Sequence, residues 1–295
     1  MPEVQTRVRF KNILFTTDFS EAADAALPYA ASLARTYGAK IRALHVNPPA
    51  VNPMTPPVTW RAEEDAAKIR ANEQKEKLRH AMRGMNPEIL IEEGDLPSIL
   101  DATIRSNGID LIVMGTRGRS GVAKAVLGSA AEEIFRSVTC PVLTVGPSVP
   151  VTVEKPGEFS RILLATGTDF KHRAALPFAL SLAQEFVADL TLVHVIERPK
   201  TCEIVKSDEL EDATMRLLQG MVPANAQQWC NPSFAVKHGD PAEEILALAE
   251  RKRADLIVLG VHKEHGFPGA STHLPISIAH KVVAQARCPV LTVRD

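Results

Sequence analysis

Short apolar runs recur along the chain, separated by stretches whose apolar residues keep helical spacing. In the first half these runs are Ile13 to Phe15, Lys40 to Val46, Glu88 to Glu93, Asp110 to Gly115 and Pro141 to Val145. Most are continuous rather than alternating, the pattern of strands buried on both faces of a parallel sheet. Ala23, Ala26, Leu27, Ala30, Leu33, Ala34 and Tyr37 fall on one helical face. Asp18 and Ser20 are placed to cap its start and Gly38 to end it, while Pro28 inside the run predicts a kink. Pro48 to Trp60, with five prolines, reads as an extended loop, and the alternating charges of Arg61 to Arg83 read as a long polar helix. Gly94-Asp-Leu-Pro97 opens a further helix that Asn107-Gly108 closes. Strands alternating with helices predict an α/β fold with a parallel sheet.

The second half repeats the first. Ile13-Leu-Phe-Thr-Thr17 returns as Ile162-Leu-Leu-Ala-Thr166, Leu27-Pro-Tyr-Ala30 as Leu176-Pro-Phe-Ala179, and His45-Val46 as His194-Val195, all at one offset of 149 residues. Asp110-Leu-Ile-Val-Met-Gly115 returns as Asp255-Leu-Ile-Val-Leu-Gly260, and Cys140-Pro-Val-Leu-Thr-Val145 as Cys288-Pro-Val-Leu-Thr-Val293. An unbroken offset over such lengths is the mark of a duplicated domain. The division predicted is 1–146 for the first domain, 147–159 for a linker and 160–295 for the second. Each closing run, as the last strand of its repeat, is an apolar edge liable to pair with another edge. The expectation is that the two repeats join through these runs as an intrachain pseudo-dimer.

Chemistry concentrates in Gly115 to Ser129, GTRGRSGVAKAVLGS, which follows one buried run and precedes the helix-spaced Ala130 to Arg136. Gly115, Gly118 and Gly128 permit backbone angles closed to other residues. Free N–H groups in such a loop and at the following helix start favour an anion, usually a phosphate. Arg117, Arg119 and Lys124 add positive charge, and Ser129 offers a hydroxyl. A flexible surface loop is the plain alternative. No segment fits the Walker A pattern GxxxxGK[ST] or the dinucleotide pattern GxGxxG. The spacing present, G-x2-G-x9-G-[S/T], would arise by chance in about one chain of this length in a hundred.

Composition narrows the setting. A formal net charge of -1 leaves no electrostatic footprint for nucleic acid or an anionic membrane. No apolar run is long enough to span a bilayer, and the N-terminus lacks the apolar core of a signal peptide, so a cytoplasmic protein is expected. The four cysteines, Cys140, Cys202, Cys230 and Cys288, form no CxxC pair. Cys140 and Cys288 read as small buried residues. His262, His265 and His273 are dense but lack a ligand set, so no metal site is assigned. His45 and His194, repeated in apolar context, read as satisfied core groups.

The glycine spacing and the duplicated pattern resemble the universal stress protein family, as two of its domains in tandem. The resemblance implies two open α/β domains, each with a five-stranded parallel sheet in the order 3-2-1-4-5, Rossmann-like and of the adenine nucleotide alpha hydrolase type. That order sets the first and fourth strands side by side, so the loops after them face one crevice. Members with the glycine motif bind ATP, which here implies ATP with Mg2+ as cofactor. By the resemblance, Asp18 in Thr16-Thr-Asp-Phe-Ser20 is the acidic residue near the adenosine, together with Thr16. Val46 matches the position whose backbone meets the adenine. Gly115, Thr116, Gly118, Arg119, Gly128 and Ser129 match the ribose- and phosphate-binding stretch. Family members commonly dimerise through the last strand, so a homodimer is expected beyond the pseudo-dimer.

The second copy departs from the motif. Gly167 stands opposite Asp18, with Asp169 nearby, Lys263 opposite Gly118 and Ile276 opposite Gly128, while Ser277 keeps Ser129. Its glycine loop is also three residues longer, 27 residues separating Gly260 from Arg287 where 24 separate Gly115 from Thr139. A β-branched residue does not replace a glycine that admits a phosphate, so one competent site, in the first domain, is expected. The reading is a nucleotide-dependent regulatory module of the stress response. Two alternatives stand: a slow ATPase or nucleotidyl-transfer enzyme using the same cradle, and an interaction scaffold with a vestigial site. No catalytic residue is assigned, because no base is placed by motif beside Thr16, Ser20 or Ser129.

Overall fold

The computed structural model describes residues 8–50, 57–116, 131–134, 138–150, 155–167, 174–197, 207–261 and 278–294. In the first repeat the elements are β1 (Asn12–Thr16), α1 (Glu21–Tyr37), β2 (Lys40–Asn47), α2 (Pro57–Ala81), β3 (Glu88–Glu93), α3 (Leu96–Asn107), β4 (Leu111–Gly115) and β5 (Val142–Val145). Residues 131–134 are helical between β4 and β5. The second repeat has β6 (Arg161–Ala165), α4 (Ala175–Phe186), β7 (Asp189–Ile196), α5 (Ser207–Met221), a 3-10 turn (Ala224–Gln228), β8 (Pro232–His238), α6 (Pro241–Lys252), β9 (Leu256–Val261), α7 (Ile278–Gln285) and β10 (Val290–Arg294).

Each repeat forms a five-stranded parallel sheet in the order 3-2-1-4-5, and the two sheets are one. The ten strands run β3-β2-β1-β4-β5-β10-β9-β6-β7-β8. The joint is the single antiparallel pairing among the described residues, Leu143 opposite Leu291 with Thr144 opposite Val290 and Val142 opposite Thr292. Two hydroxyls reinforce it reciprocally: Thr144 Oγ1 donates to the Val290 carbonyl at 3.1 Å and Thr292 Oγ1 to that of Val142 at 3.3 Å. The closing runs are thus interior strands, each satisfied by the other.

The duplication also shows in matched side-chain contacts. Phe10 meets Tyr37 edge-on at 5.2 Å, and Phe159 meets Phe186 edge-on at 5.3 Å, the same pair one repeat later. The leading segment of each repeat lies against the other repeat's first helix. The Val8 N–H donates to Ser181 Oγ on α4 at 2.9 Å, and Phe10 stacks on Phe178 at 6.2 Å. In the matched place a Cβ on Gly157 would fall 2.8 Å from Ser32 Cβ on α1, and Gly157 has φ +81°. One apolar layer, under α1, α2, α4 and α5, runs across both repeats, and a second, under α3, α6, α7 and residues 131–134, covers the opposite face. At the seam Phe10, Leu33, Leu143, Phe159, Leu182 and Leu291 leave a void of about 10 Å³, so the halves meet as a packed interior.

Local chemistry sets the element ends. Ser20 Oγ accepts from the Ala23 N–H at 3.3 Å to start α1, and Gly38 closes it at φ 62°. α1 runs from Glu21 to Tyr37 as one helix with Pro28 inside it. Asp95 and Asp240 cap α3 and α6 by accepting from Ser98 and Glu243 N–H groups, each with proline in the first turn. The expected loop from Pro48 to Trp60 is shorter than its prolines suggest. Helix α2 begins at Pro57, because a proline in the first turn gives up an N–H that has no helical partner there.

Candidate functional site

The strand order brings β1 between β2 and β4, so the carboxyl ends of these strands form one rim. Thr16 lies beside Leu44 on one side and Met114 on the other, and Gly115 pairs with Val145. Of the residues singled out from sequence, Thr16, Asp18, Val46, Gly115 and Thr116 lie on or just past this rim. Thr16 and Thr116 are buried, while Asp18 and Val46 are partly exposed. Gly118, Arg119, Gly128 and Ser129 lie outside the described residues, as do Arg117, Lys124, Asp169, Cys202, His262, Lys263, His265, His273, Ile276 and Ser277.

The loop after β1 is held from both sides. Asp18 Oδ1 accepts from the Ser20 N–H at 3.0 Å, and Thr17 Oγ1 from the Phe19 N–H at 2.9 Å. These short turns hold Phe19 at φ 61°, an uncommon angle for a residue with a side chain. Buried His45, from β2, hydrogen-bonds the Thr17 carbonyl through Nδ1 at 2.7 Å. A carbonyl only accepts, so Nδ1 carries the proton; Nε2 stands 3.2 Å from Asn47 Oδ1 and accepts there when the Asn47 and Gln74 amides are both turned over, which keeps the two bonds between them. Phe19 packs on the same imidazole at 4.7 Å, and Lys77 Nζ of α2 stands 4.8 Å from the centre of the Phe19 ring. Asn47 in turn exchanges two amide hydrogen bonds with Gln74 of α2, at 2.8 and 2.9 Å.

Gly115 serves packing as well as any ligand. A Cβ there would lie 2.4 Å from the backbone carbon and oxygen of Ala22 and 2.7 Å from the Ala23 nitrogen, so only glycine lets the first turn of α1 sit against the end of β4. Thr116 is fully buried, donates its N–H to the Val145 carbonyl at 3.1 Å, and its Oγ1 is the buried side-chain oxygen without a hydrogen-bond partner among the described residues. Such a group is disfavoured by about 1–3 kcal/mol unless something satisfies it.

Beside this rim a cleft of about 340 Å³ opens between α2 and the ends of β2 and β3, lined by Asn47, Pro49, Lys68, Arg70, Ile91 and Glu93 among others. In open α/β sheets the carboxyl ends of the strands are where ligands bind. Among the described residues no group of three or more His, Cys, Asp or Glu could hold a metal ion. Burial pushes the thiols of Cys140 and Cys288 up to about 12 and that of Cys230 to about 11, so these thiols stay protonated and unreactive near neutral pH. No helix among the described residues is long and apolar enough to cross a membrane.

His45 is buried, as its apolar context predicts. That its ring lies between the Asp18 loop and the residues α2 touches does not show in that context. The available signal was recurrence: His194 repeats the bond, meeting the Thr166 carbonyl at 2.9 Å.

The universal stress protein family matches residues 9–146 and again 158–294. A universal stress protein of Mycolicibacterium smegmatis is 27% identical over 303 residues, spanning 96% of both chains. One from Thermus aquaticus is 35% identical over 141 residues, covering 46% of this chain and 98% of its own length. In three dimensions the chain is similar to a universal stress protein from Archaeoglobus fulgidus, with a TM-score of 0.69 at 20% identity over 96% of this chain and 98% of that one. Two tandem matches to the family and a relative aligned along almost its whole length converge: the chain belongs to the universal stress protein family.

Proposed function

We propose that the first repeat binds ATP, with Mg2+, at the rim formed by β1, β2 and β4, and that the chain acts in the cytoplasm as a nucleotide-dependent regulatory module of the stress response. The observation that carries this is the adjacency of β1 and β4. It sets the Asp18 loop next to the start of the glycine stretch, whose spacing suits a phosphate cradle. The orphaned Thr116 hydroxyl and the glycine-only contact of Gly115 fit a rim adapted to something beyond its own packing. Mg2+ would fit as an ion carried mainly by the phosphates, with Asp18 as a carboxylate contact, in keeping with the habit of Mg2+ to bind one or two carboxylates plus phosphate oxygens. Its chemistry would be charge neutralisation on the triphosphate.

The second repeat lacks the acid, replaced by Gly167, and carries Lys263 and Ile276 for two glycines. We therefore assign one competent site per chain. The lack of a placed base favours binding over turnover. A homodimer would use a surface other than β5 and β10, which are paired within the chain.

The test is calorimetric titration of ATP into the parent chain, Gly118→Val and Lys263→Val. One site per chain is expected. Gly118→Val, losing two or three charge-assisted hydrogen bonds of about 1.5–3 kcal/mol each, should bind several hundred-fold more weakly, and Lys263→Val should match the parent. Two equivalent sites, or undiminished binding by Gly118→Val, would overturn the reading. Sustained, metal-dependent ADP production would favour the enzyme instead.

A further inference from the structure

Helix α2 is polar along most of its length, yet it reaches the rim at two points: Gln74 grips Asn47, and Lys77 caps Phe19. Between them stands His45, bonded to the Thr17 carbonyl and stacked on Phe19. Asp18 is therefore flanked on both sides by residues whose placement depends on α2. We propose that Gln74 and Lys77, acting through Asn47, His45 and Phe19, are positioning residues for the Asp18 loop. By linkage, α2 is then the element that responds when the loop is occupied. This rests on the nucleotide reading only for what occupies the loop.

The second repeat shows the arrangement is not a requirement of the fold. His194 keeps its bond to Thr166, but Ile196 stands where Asn47 would be, so no amide follows the ring. There α5 is tied to the sheet elsewhere, through Glu211 and His238 Nε2 at 3.2 Å on β8. The polar bridge from helix to imidazole belongs to the repeat that keeps the acid.

Hydrogen exchange in the nucleotide-free protein tests this directly. Gln74→Ala should speed exchange at the amides of Thr17 to Ser20 by about five-fold or more, the lower end of coupling between linked sites. Amides of β1 and β4 should be unchanged, and Glu73→Ala, on the exposed side of α2, should do nothing. Exchanging the two side chains, Asn47→Gln with Gln74→Asn, should restore the parent rate, since the combined reach is kept. Should Gln74→Ala not fold, Gln74→Met keeps the length without the amide. ATP titrated into the same proteins should bind about five-fold more weakly to Gln74→Ala and should slow α2 exchange only when the bridge is intact. Unaltered loop exchange in the variant overturns the proposal whatever ATP does. Faster loop exchange in Gln74→Ala, with a parent chain that binds no ATP, leaves the positioning intact and removes the nucleotide reading.

Discussion

The two repeats share a skeleton and differ at their rims and corners. Asp110 accepts from the N–H groups of Lys11 and Asn12 at 2.7 and 3.0 Å, and Asp255 from those of Ser160 and Arg161 at 3.1 and 3.0 Å. The imidazole-to-carbonyl bond is likewise kept. What is not kept is telling. Arg42 bridges Glu88 at 2.7 Å and reaches Asn12 at 3.2 Å, whereas the matched Thr191 and Ser233 only bond each other at 2.9 Å. Their small size opens a cleft of about 290 Å³ at the amino ends of β6 to β8, away from the rim where ligands bind. Helix α1 ends on Gly38 at φ 62° and α3 on Gly108 at φ 57°, while α4 ends on Val187 at φ 52° and α6 on Arg253 at φ 51°. Duplication preserved what the shared sheet needs and relaxed what a single helix end or site needs.

The largest effect should come from Gly115→Ala. Its methyl would sit 2.4 Å from Ala22 backbone, which cannot swing aside, so α1 must shift off β4. A loss of about 3 kcal/mol or more is expected, read as a lowered denaturant midpoint with loss of ATP binding. A parent-like midpoint would mean α1 is loosely docked, and the first repeat no better packed at its rim than the second. Thr116→Val comes next. Val261 already holds this place in the second repeat, and removing the orphaned hydroxyl should raise stability by about 1–2 kcal/mol. If the hydroxyl serves the ligand, as proposed, ATP binds more weakly to the same variant; unchanged affinity would confine Thr116 to packing.

Smaller still is a reciprocal exchange of helix ends. Val187 is β-branched, left-handed and highly exposed, 78% of its surface being open. Val187→Gly should stabilise by about 1 kcal/mol and Gly38→Val destabilise by as much or more, a Tm change of about 2 °C each way. Equal and null effects would erase this difference between the repeats. The smallest effect is one of pH. Hydrogen bonds from the Ser98 side chain and backbone hold Asp95 below the usual carboxylate range, and the Glu243 N–H, with Lys281 beyond it, does so for Asp240. A lowered folded pKa stabilises above the unfolded value, about 3.9, and that stability is lost as pH falls through the folded value. Asp95→Asn and Asp240→Asn should therefore flatten the fall in stability below about pH 4 and differ little from each other.

Much of the fold was legible because its signals are local. Apolar runs and capping residues placed every strand of the first repeat within a residue or two, and the unpaired closing runs pointed to the β5–β10 joint. Pro57 misled because proline breaks a helix interior yet suits its first turn. Gly115 was legible as a glycine but not as a packing glycine, since the atoms it accommodates, those of Ala22, lie far away in sequence. The bridge from Gln74 to Thr17 was invisible for the same reason: amides on a polar helix look solvated until the sheet edge beneath them is known.

The crossed leading segments have a consequence for synthesis. The bond from Val8 to Ser181 spans 173 residues. At about 5–20 residues per second, the first repeat waits roughly 10–35 s after its first strand emerges before the helix that seats Val8 exists. β5 stays an open apolar edge for a comparable time, because Leu291 follows its partner Leu143 by 148 residues, and such an edge pairs with neighbouring chains. Chains growing on one message are therefore each other's nearest wrong partners, and the short Gly146-to-Phe159 connection, by delivering the second copy promptly, limits how long that competition lasts.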